Sequence, residues 1–268
     1  MLNIEKILVG GINIFSHPVC EQNNLFCGFT TRNGGSSRKP FDSLNLAYHV
    51  GDDDKSVLGN RQLIIDKLLG PGPECIYSAL QVHGDNVLYV DKYTVHKDGN
   101  IPIEADSLIT DKSNMPIVVL GADCNLIIII DMKEKAVGVV HAGWKGTLNG
   151  VLVKTLFEFK KHFNSSPENI LVFFGPSIRN CCYRVGSMLI DRFREKFYGE
   201  DYYYFNDHKE GKVFFLDIIK LNLIHLRDFG IQEYNIFDVG QCTSCGNGFF
   251  SYRREKDTGR QAAIAMIH

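Results

Sequence analysis

Short apolar runs bounded by turn residues recur along the chain and predict β-strands. They are rich in Val, Ile and Phe, and several are apolar at every position, as strands covered on both faces are. The run LIIII is the clearest example. The predicted strands are residues 86–90, 116–120, 126–130, 136–140, 169–174, 212–216 and 235–239.

A second periodicity, with apolar residues three and four positions apart, predicts amphipathic helices. Residues that typically cap or end helices flank two of these segments, which supports their proposed ends. The predicted helices are 148–163 with Thr147 as N-cap, 187–197, and 217–230 with Asp217 as cap and Gly230 as stop.

Predicted strands and helices do not alternate strictly along the chain. A doubly wound parallel sheet requires that alternation, so the pattern favours the α+β class. We expect a layered α/β sandwich with mixed sheets and flanking helices. No repeat, low-complexity tract or linker interrupts the sequence, so residues 1–268 are expected to form a single domain.

The overall charge is close to neutral and limits the classes of partner. The formal net charge is −2, and 44% of the residues are hydrophobic, which is typical of a globular protein with a substantial core. Such a chain has no global field that attracts nucleic acid or an anionic membrane. No apolar run reaches the roughly 18 residues that span a bilayer, and no signal peptide is expected. We therefore expect a cytoplasmic monomer or homodimer without nucleic-acid or membrane partners.

The eight cysteines are too few for a disulfide scaffold in a chain of 268 residues. We expect mostly buried thiols in a reducing compartment. The C-x-x-C pair of Cys242 and Cys245 suits redox chemistry or half of a zinc ribbon. The chain has no second C-x-x-C, and Cys181 and Cys182 are adjacent residues, poorly spaced to chelate together. The sequence therefore predicts a structural or spare thiol pair.

Three side chains that can bind a metal stand at the edges of apolar elements. His141 follows an apolar run in VVHAGWKG, Cys124 follows another in GADCN, and His83 lies in QVHGD. Two imidazoles and one thiolate suit zinc, and three protein ligands leave a fourth position open, as catalytic zinc sites require. The spacing alone does not decide between a metal site and ordinary core residues. Buried histidines bonded to the backbone and a cysteine that fills space in the core would give the same pattern.

The stretch after His141 indicates a tight turn from strand to helix, because Gly143 and Gly146 permit one. A ligand at the end of a buried strand is held rigidly by that strand. The only tryptophan, Trp144, lies in this turn. It is interpreted either as a core plug beneath the turn or as a wall against which a purine packs.

Several motifs, taken in order, resemble those of one family. TTRNGGSS, SLNL and HVGDD are followed by QVHGDNV, ADSLIT, GADCN, VVHAGWKGT, GPSI, CT with FFSYRR, and GR. Together they resemble the laccase-domain family, first labelled multicopper polyphenol oxidases and later recognised as purine nucleoside phosphorylases with adenosine deaminase activity. The resemblance covers nearly the whole chain.

This resemblance implies an α+β domain that binds zinc through His83, Cys124 and His141. It also implies that adenosine, inosine, guanosine and S-methyl-5'-thioadenosine are cleaved with phosphate, and that adenosine is deaminated. The family usually has Tyr-Glu-Val after the Gly-Pro motif. Here Arg184 stands between Tyr183 and Val185, so no role of that carboxylate is carried over.

Nucleoside chemistry needs a phosphate site and, for deamination, a proton shuttle. Arginines, Lys145 and the N–H groups of a helix starting near Thr147 are candidate phosphate donors. Asp123 is a candidate shuttle, or a partner that orients an imidazole. The substrate-binding candidates are Arg32, His49, Lys145, Arg253 and Arg260, and the catalytic candidates are Asp123, Cys124 and His141.

The residues leave two other functions open. A hydrolase could use Cys124 as nucleophile, His141 as base and Asp123 as orienting group, although His83 would then have no role. A copper-dependent oxidase is the other, since copper also binds two histidines and a cysteine. A multicopper cluster, however, needs many histidines close together, and the chain has nine histidines without a His-x-His pair. Most of the others stand in polar contexts: His17, His96, His162, His208, His225 and His268.

Overall fold

The computed structural model describes residues 4–95, 99–208 and 211–268, and most of the strands in these ranges belong to two large sheets. All seven predicted strands are confirmed, with ends shifted by one or two residues. The strands are β1 (Glu5–Val9), β2 (Ile12–Ser16), β3 (Leu25–Thr30), β4 (Ser78–Leu80), β5 (Val87–Tyr89), β6 (Asn100–Glu104), β7 (Ser107–Thr110), β8 (Ile117–Gly121), β9 (Asn125–Asp131), β10 (Ala136–Ala142), β11 (Ile170–Phe174), β12 (Arg184–Val185), β13 (Tyr203–His208), β14 (Gly211–Leu216), β15 (Ile236–Asp238) and β16 (Gln261–Ile267).

Helices of the same ranges flank these sheets or connect their strands. None of them is long and apolar enough to cross a membrane. Short 3-10 turns cover Tyr48–Val50, Pro167–Asn169 and Glu233–Asn235, and a π turn covers Ile65–Leu69. The α-helices are α1 (Pro18–Gln22), α2 (Asp54–Ile64), α3 (Trp144–Asn149), α4 (Val151–Phe163), α5 (Ser187–Lys196), α6 (Ile218–Phe229) and α7 (Tyr252–Glu255).

The two large sheets differ in strand direction. One is antiparallel, with the order β1-β2-β3-β16-β8. The other is mixed, with the order β15-β11-β9-β10-β7-β5, antiparallel in its middle and parallel at both edges. Two smaller sheets have the orders β12-β14-β13 and β4-β6. Mixed sheets with helices on their outer faces confirm the α+β sandwich.

The LIIII run of β9 shows how the layers are filled. Leu126, Ile128 and Ile130 contribute to the core between the two large sheets. Ile127 and Ile129 belong to a second core, beneath α4 and α6. Because both faces of the strand are covered, every position is apolar and the usual alternation of a half-exposed strand is lost. A third core lies between the antiparallel sheet and α2, which completes a helix–sheet–sheet–helix order.

The helix expected after His141 is divided into two. α3 starts at Trp144 with Gly143 as N-cap, and it ends at Gly150, whose left-handed φ of 82° breaks the helix before α4. Thr147 therefore lies inside α3, and the prediction that it caps a helix is wrong. Its hydroxyl contacts the carbonyl oxygen of Ala142 at 3.4 Å instead.

The other two predicted helices are confirmed as α5 and α6. Asp217 caps α6, since its carboxylate accepts the backbone N–H of Lys220 at 3.0 Å. Gly230 ends the same helix with a left-handed φ of 99°.

Expectations about the cysteines and about two histidines need correction. Cys20 and Cys27 form a disulfide within the core, and Cys181 and Cys245 are exposed, so the cysteines are not uniformly buried thiols. His225 does not stand in a polar context but is buried. A further correction concerns His17, which is buried as the N-cap of α1. His96 lies outside the described residues.

Candidate active site

The ligand atoms of His83, Cys124 and His141 all lie within 4.8 Å of one another. His141 is the penultimate residue of β10, Cys124 is in the turn from β8 to β9, and His83 is in the loop between β4 and β5. The structure thus brings together the three residues that ligand chemistry and the resemblance selected. The end of one strand and two connections, far apart in sequence, each supply one atom that can bind a metal.

A buried carboxylate, Asp106, organises this group. Its Oδ1 lies 2.7 Å from Nδ1 of His141. The same carboxylate accepts the backbone N–H groups of Val82, His83 and Gly84 at 3.2, 3.0 and 2.7 Å. Because a carboxylate only accepts, Nδ1 of His141 carries the proton and Nε2 is left as the donor atom for a metal. Sequence reasoning missed Asp106, although it belongs to the ADSLIT motif.

Cys124 and His141 shift each other's pKa. Burial raises the pKa of the Cys124 thiol, but the charge and hydrogen bond of His141, helped by His83, lower that pKa to about 6. Burial lowers the pKa of His141, but the Cys124 thiolate and Asp106 raise it to about 9. Burial also raises the pKa of Asp106, and its bonds to His141 and the backbone lower it below the ordinary value. Each group thus favours the charged form of the other.

These residues fit a zinc ion. The set combines a soft thiolate with two imidazoles, and Asp106 orients one imidazole as carboxylates do in zinc sites. A zinc ion would take the place of the His141 proton as the partner of the thiolate. Gly143 keeps the group open, because a Cβ there would lie 3.1 Å from Sγ of Cys124 and 3.2 Å from Cδ2 of His83.

The side chains of His83, Cys124 and His141 line a cavity of about 500 Å³. This volume is in the range of small-molecule sites. Its walls combine aromatic and cationic side chains with apolar ones. Besides the three ligands and Asp123, the lining includes His49, Gln81, Trp144, Ile178, Tyr183, Ile218, Tyr252, Arg253 and Arg260.

Asp123 is buried next to Cys124 in a strained conformation. Its φ is 94°, a value that residues with a side chain rarely adopt and that is found at functional sites. Its Oδ1 accepts the hydroxyl of Thr243 and its Oδ2 accepts the backbone N–H of Arg253, both at 2.6 Å. Among the described contacts Asp106, and not Asp123, bonds to an imidazole. The interpretation of Asp123 as the orienting group is therefore wrong.

Three of the five substrate-binding candidates line the cavity: His49, Arg253 and Arg260. Burial, followed by the charge of Arg260, lowers the pKa of His49. The Arg253 guanidinium lies 5.4 Å from the centre of the Tyr183 ring, and its Nη1 donates to the carbonyl of Cys182 at 3.1 Å. Nη1 of Arg260 donates to two carbonyls of its own loop, those of Thr258 and Gly259.

Arg32 and Lys145 are not among the residues that line the cavity. Nη1 of Arg32 donates to Glu255 at 2.7 Å, and its guanidinium lies 4.9 Å from the centre of the Phe250 ring. Lys145 is exposed, and its Nζ lies 5.6 Å from the Trp144 ring. Arg184 is also exposed and outside the lining. The cation where the family usually has a carboxylate therefore does not contact the cavity.

The position of Trp144 fits both interpretations of it, and the packing of a purine against it stays a prediction. It lines the cavity, and it packs against the core formed by α5, α6 and β14. The guanidinium of Arg192 lies 6.0 Å from its ring. The indole thus forms part of the cavity wall, and it packs against the side chains of this core.

Comparison with known proteins identifies the family of this chain. The sequence model of the family described as multi-copper polyphenol oxidoreductase laccase matches residues 26–268. The chain belongs to this family. Its similarity extends to proteins named purine nucleoside phosphorylase, so both parts of the resemblance seen in the motifs are confirmed.

Two relatives and two solved structures illustrate the similarity. The chain is 32% identical to purine nucleoside phosphorylase YlmD of Geobacillus stearothermophilus over 247 residues, which cover 88% of each chain. It is 34% identical to purine nucleoside phosphorylase YfiH of Escherichia coli, with 89% of this chain and 92% of that one covered. The crystal structure of YlmD from G. stearothermophilus superposes with a TM-score of 0.88 at 30% identity, covering 99% of both chains. That of the hypothetical protein YfiH from Bacillus licheniformis gives 0.86 at 31% identity, covering 96% and 97%.

Proposed function

We propose that this protein is a zinc-dependent purine nucleoside phosphorylase with an adenosine deaminase side activity. The observation that carries the proposal is the convergence of His83, Cys124 and His141 on the wall of a cavity of about 500 Å³. Relatives named purine nucleoside phosphorylase supply the reaction class. Adenosine, inosine, guanosine and S-methyl-5'-thioadenosine are the proposed substrates, together with phosphate.

The metal would be held by the two imidazoles and the thiolate, with zinc favoured and copper as the alternative. When bound, zinc supplies a Lewis acid that activates water or polarises an oxygen of the substrate. Asp106 holds His141 in the ligating tautomer throughout. Asp123 faces the same cavity and is proposed to move the proton that deamination requires.

The cavity walls suggest how a nucleoside and phosphate are positioned. Trp144, Tyr183 and Tyr252 offer aromatic surfaces on which a purine can pack. Arg253 and Arg260 bring positive charge to the same cavity, and the phosphate is proposed to bind between them. Arg32 and Lys145 lie outside the lining, so any effect of theirs on phosphate would be indirect.

A cysteine hydrolase is the second candidate, because the structure supplies the orienting carboxylate that such an enzyme needs. Asp106, His141 and Cys124 form a carboxylate–imidazolium–thiolate series. This reading gives His83 no function, whereas the metal site uses all three residues. A hydrolase would also need no phosphate.

The deciding experiment incubates the purified protein with adenosine, with and without phosphate, before and after treatment with a chelator. We expect adenine and ribose 1-phosphate only when phosphate is present, a smaller yield of inosine in both cases, and loss of both products after chelation. Phosphate-independent turnover that survives chelation and stops when Cys124 is alkylated would instead establish the hydrolase. Oxidation of a phenol by the copper-loaded protein, without nucleoside turnover, would establish the oxidase.

A further inference from the structure

A second cluster of metal-binding side chains lies outside the active site. Cys181 and Cys182 precede β12, and Cys242 and Cys245 lie in the loop between β15 and α7. The Sγ of Cys245 is 3.0 Å from that of Cys182 and 3.5 Å from that of Cys181. All four sulfur atoms lie within 4.8 Å of one another. The fold thus joins two thiol pairs that are about sixty residues apart, a juxtaposition that the sequence analysis did not predict.

The spacing of the four sulfur atoms is comparable to that of a tetrahedral thiolate site. A zinc–sulfur bond of about 2.3 Å gives tetrahedral sulfur–sulfur edges of about 3.8 Å. The Sγ distances from Cys181 to Cys182 (3.9 Å) and to Cys245 (3.5 Å) are close to that value, and the distance of 3.0 Å between Cys182 and Cys245 is shorter, so metal binding would move these two sulfur atoms slightly apart. Four soft sulfur ligands select zinc over magnesium or calcium, which prefer oxygen.

Hydrogen bonds within the protein hold the loop that carries Cys242 and Cys245 in place. Backbone N–H groups of Arg179, Ser244 and Cys245 donate hydrogen bonds to the sulfur of Cys242. The Arg254 guanidinium donates to the carbonyls of Thr243 and Gly246, which closes the loop around its side chain. N–H groups directed at a sulfur stabilise its thiolate form.

We propose that Cys181, Cys182, Cys242 and Cys245 bind a second zinc ion in a closed four-thiolate structural site. A site with four protein ligands has no open position for water or substrate, which distinguishes it from the His83–Cys124–His141 group. The chain would then hold one structural and one catalytic metal.

The second site secures the part of the fold that forms one wall of the cavity. Tyr183, which lines the cavity, directly follows Cys182. Thr243, between the other two cysteines, donates to Asp123. Arg253 donates to the carbonyl of Cys182. A metal that joins the two loops therefore fixes Tyr183, Asp123 and Arg253 relative to one another.

A disulfide is the competing explanation for sulfur atoms so close together. Cys182 and Cys245 are the nearest pair, and an oxidised pair would leave Cys181 and Cys242 unable to form a four-ligand site. The two explanations differ in metal content and in the number of free thiols, so both are measurable on the intact protein.

The test counts zinc in protein purified under reductant and without chelator. We expect about two zinc ions per chain in the wild type, and about one in each of Cys124→Ser and Cys242→Ser/Cys245→Ser. The control Cys75→Ser removes a cysteine that belongs to neither group and to no disulfide, and it should keep two. The Cys124→Ser protein leaves the four-cysteine group intact, so the test does not depend on the folding of the double variant.

Cobalt substitution of the Cys124→Ser protein identifies the ligands. Strong sulfur-to-cobalt charge-transfer bands together with tetrahedral d–d bands are expected, and they should be absent from the triple variant that also lacks Cys242 and Cys245. Retention of no metal by Cys124→Ser would overturn the proposal. Peptide mapping that finds a Cys182–Cys245 disulfide in protein purified under native conditions would overturn it as well.

Discussion

Oδ1 of Asp106 lies 2.7 Å from Nδ1 of His141, and the same carboxylate accepts three backbone N–H groups of the loop that carries His83. One buried side chain therefore positions two of the three proposed ligands. The ring of His141 cannot turn, and the loop of His83 cannot move away, without breaking bonds to the same carboxylate.

Asp106→Asn should weaken zinc binding at the His83–Cys124–His141 group by about 10- to 100-fold, the usual effect of losing a carboxylate that orients a ligating histidine. An amide has only one acceptor oxygen for the four groups that Asp106 now serves. Competition with a chromophoric chelator measures the change in Kd. Asp111→Asn, at the opposite end of β7 and paired with Lys112 at the surface, is the matched control and should bind zinc normally. Equal affinities in the two variants would contradict the role of Asp106.

Trp144→Phe should raise the KM for adenosine by roughly 2- to 10-fold, because aromatic contacts are worth about 0.5–1.5 kcal/mol. The Tm should fall only slightly, since the smaller ring still packs against the core behind it. As the only tryptophan, Trp144 also reports binding directly in the wild type. Saturating adenosine that leaves its emission unchanged would speak against its position in the wall.

Arg260→Gln should raise the KM for phosphate by roughly 10-fold or more, because hydrogen bonds between charged groups contribute about 1.5–3 kcal/mol. Steady-state rates at varied phosphate and fixed adenosine provide the measurement. Arg227→Gln serves as control, since that arginine pairs with Glu200 at the surface. An unchanged KM for phosphate in Arg260→Gln would place the phosphate elsewhere in the cavity.

Asp123→Asn should slow inosine formation by about 100-fold or more, as expected when a general acid–base group is lost. Its zinc content should stay that of the wild type, because Asp123 is not a proposed ligand. Thr243→Val removes one hydrogen bond to Asp123 but keeps the carboxylate, and its effect should be below about 10-fold. A larger effect of the Thr243 substitution than of Asp123→Asn would show that Asp123 acts only through the structure of its turn.

His225 should make the protein sensitive to acid. Its Nδ1 has no hydrogen-bond partner among the described residues, and burial, followed by the charge of Lys196, lowers its pKa to about 4, with Asp228 acting in the opposite direction. The unfolded chain binds this proton near pH 6.5, whereas the folded protein resists it until about pH 4. The contribution of neutral His225 to the free energy of unfolding is therefore fully present above pH 6.5. It is lost as the pH drops towards 4, which lowers the free energy of unfolding by about 3 kcal/mol in total.

The His225→Leu variant tests this effect, because leucine fills the site without titrating. Its free energy of unfolding should vary less than that of the wild type between pH 7 and 4. His162→Leu, a more exposed histidine paired with Glu158, is the control and should keep the slope of the wild type. Parallel curves for the wild type and His225→Leu would refute the prediction.

The sheets could be predicted from the sequence because apolar runs such as that of β9 are covered on both faces. The start of α3 could not be predicted, since Gly143 offers no capping side chain and Thr147 looked like a better cap. Capping depends on backbone conformation as well as on residue type, and the left-handed Gly150 that divides α3 from α4 leaves little trace in the hydrophobic pattern.

The ligand group could be predicted because donor type and the resemblance agreed on His83, Cys124 and His141. Asp106 was missed, since a carboxylate inside a strand-like motif carries no local signal of the imidazole that it will meet. The four-cysteine cluster was missed for a related reason. Cys181 and Cys182 reach Cys242 only because strand-like pairing of Ser177 with Cys242 brings their loops together.

The turn that holds Asp123 and Cys124 links β8, an edge strand of the antiparallel sheet, directly to β9 in the middle of the mixed sheet. Cys124 thus sits on the seam between the two layers, whereas His141 belongs to one layer alone. Any slip of one sheet over the other would pull thiolate and imidazole apart. A metal held by both side chains, as proposed, would join the two sheets, and the alignment of the sheets would then be part of the proposed catalytic site.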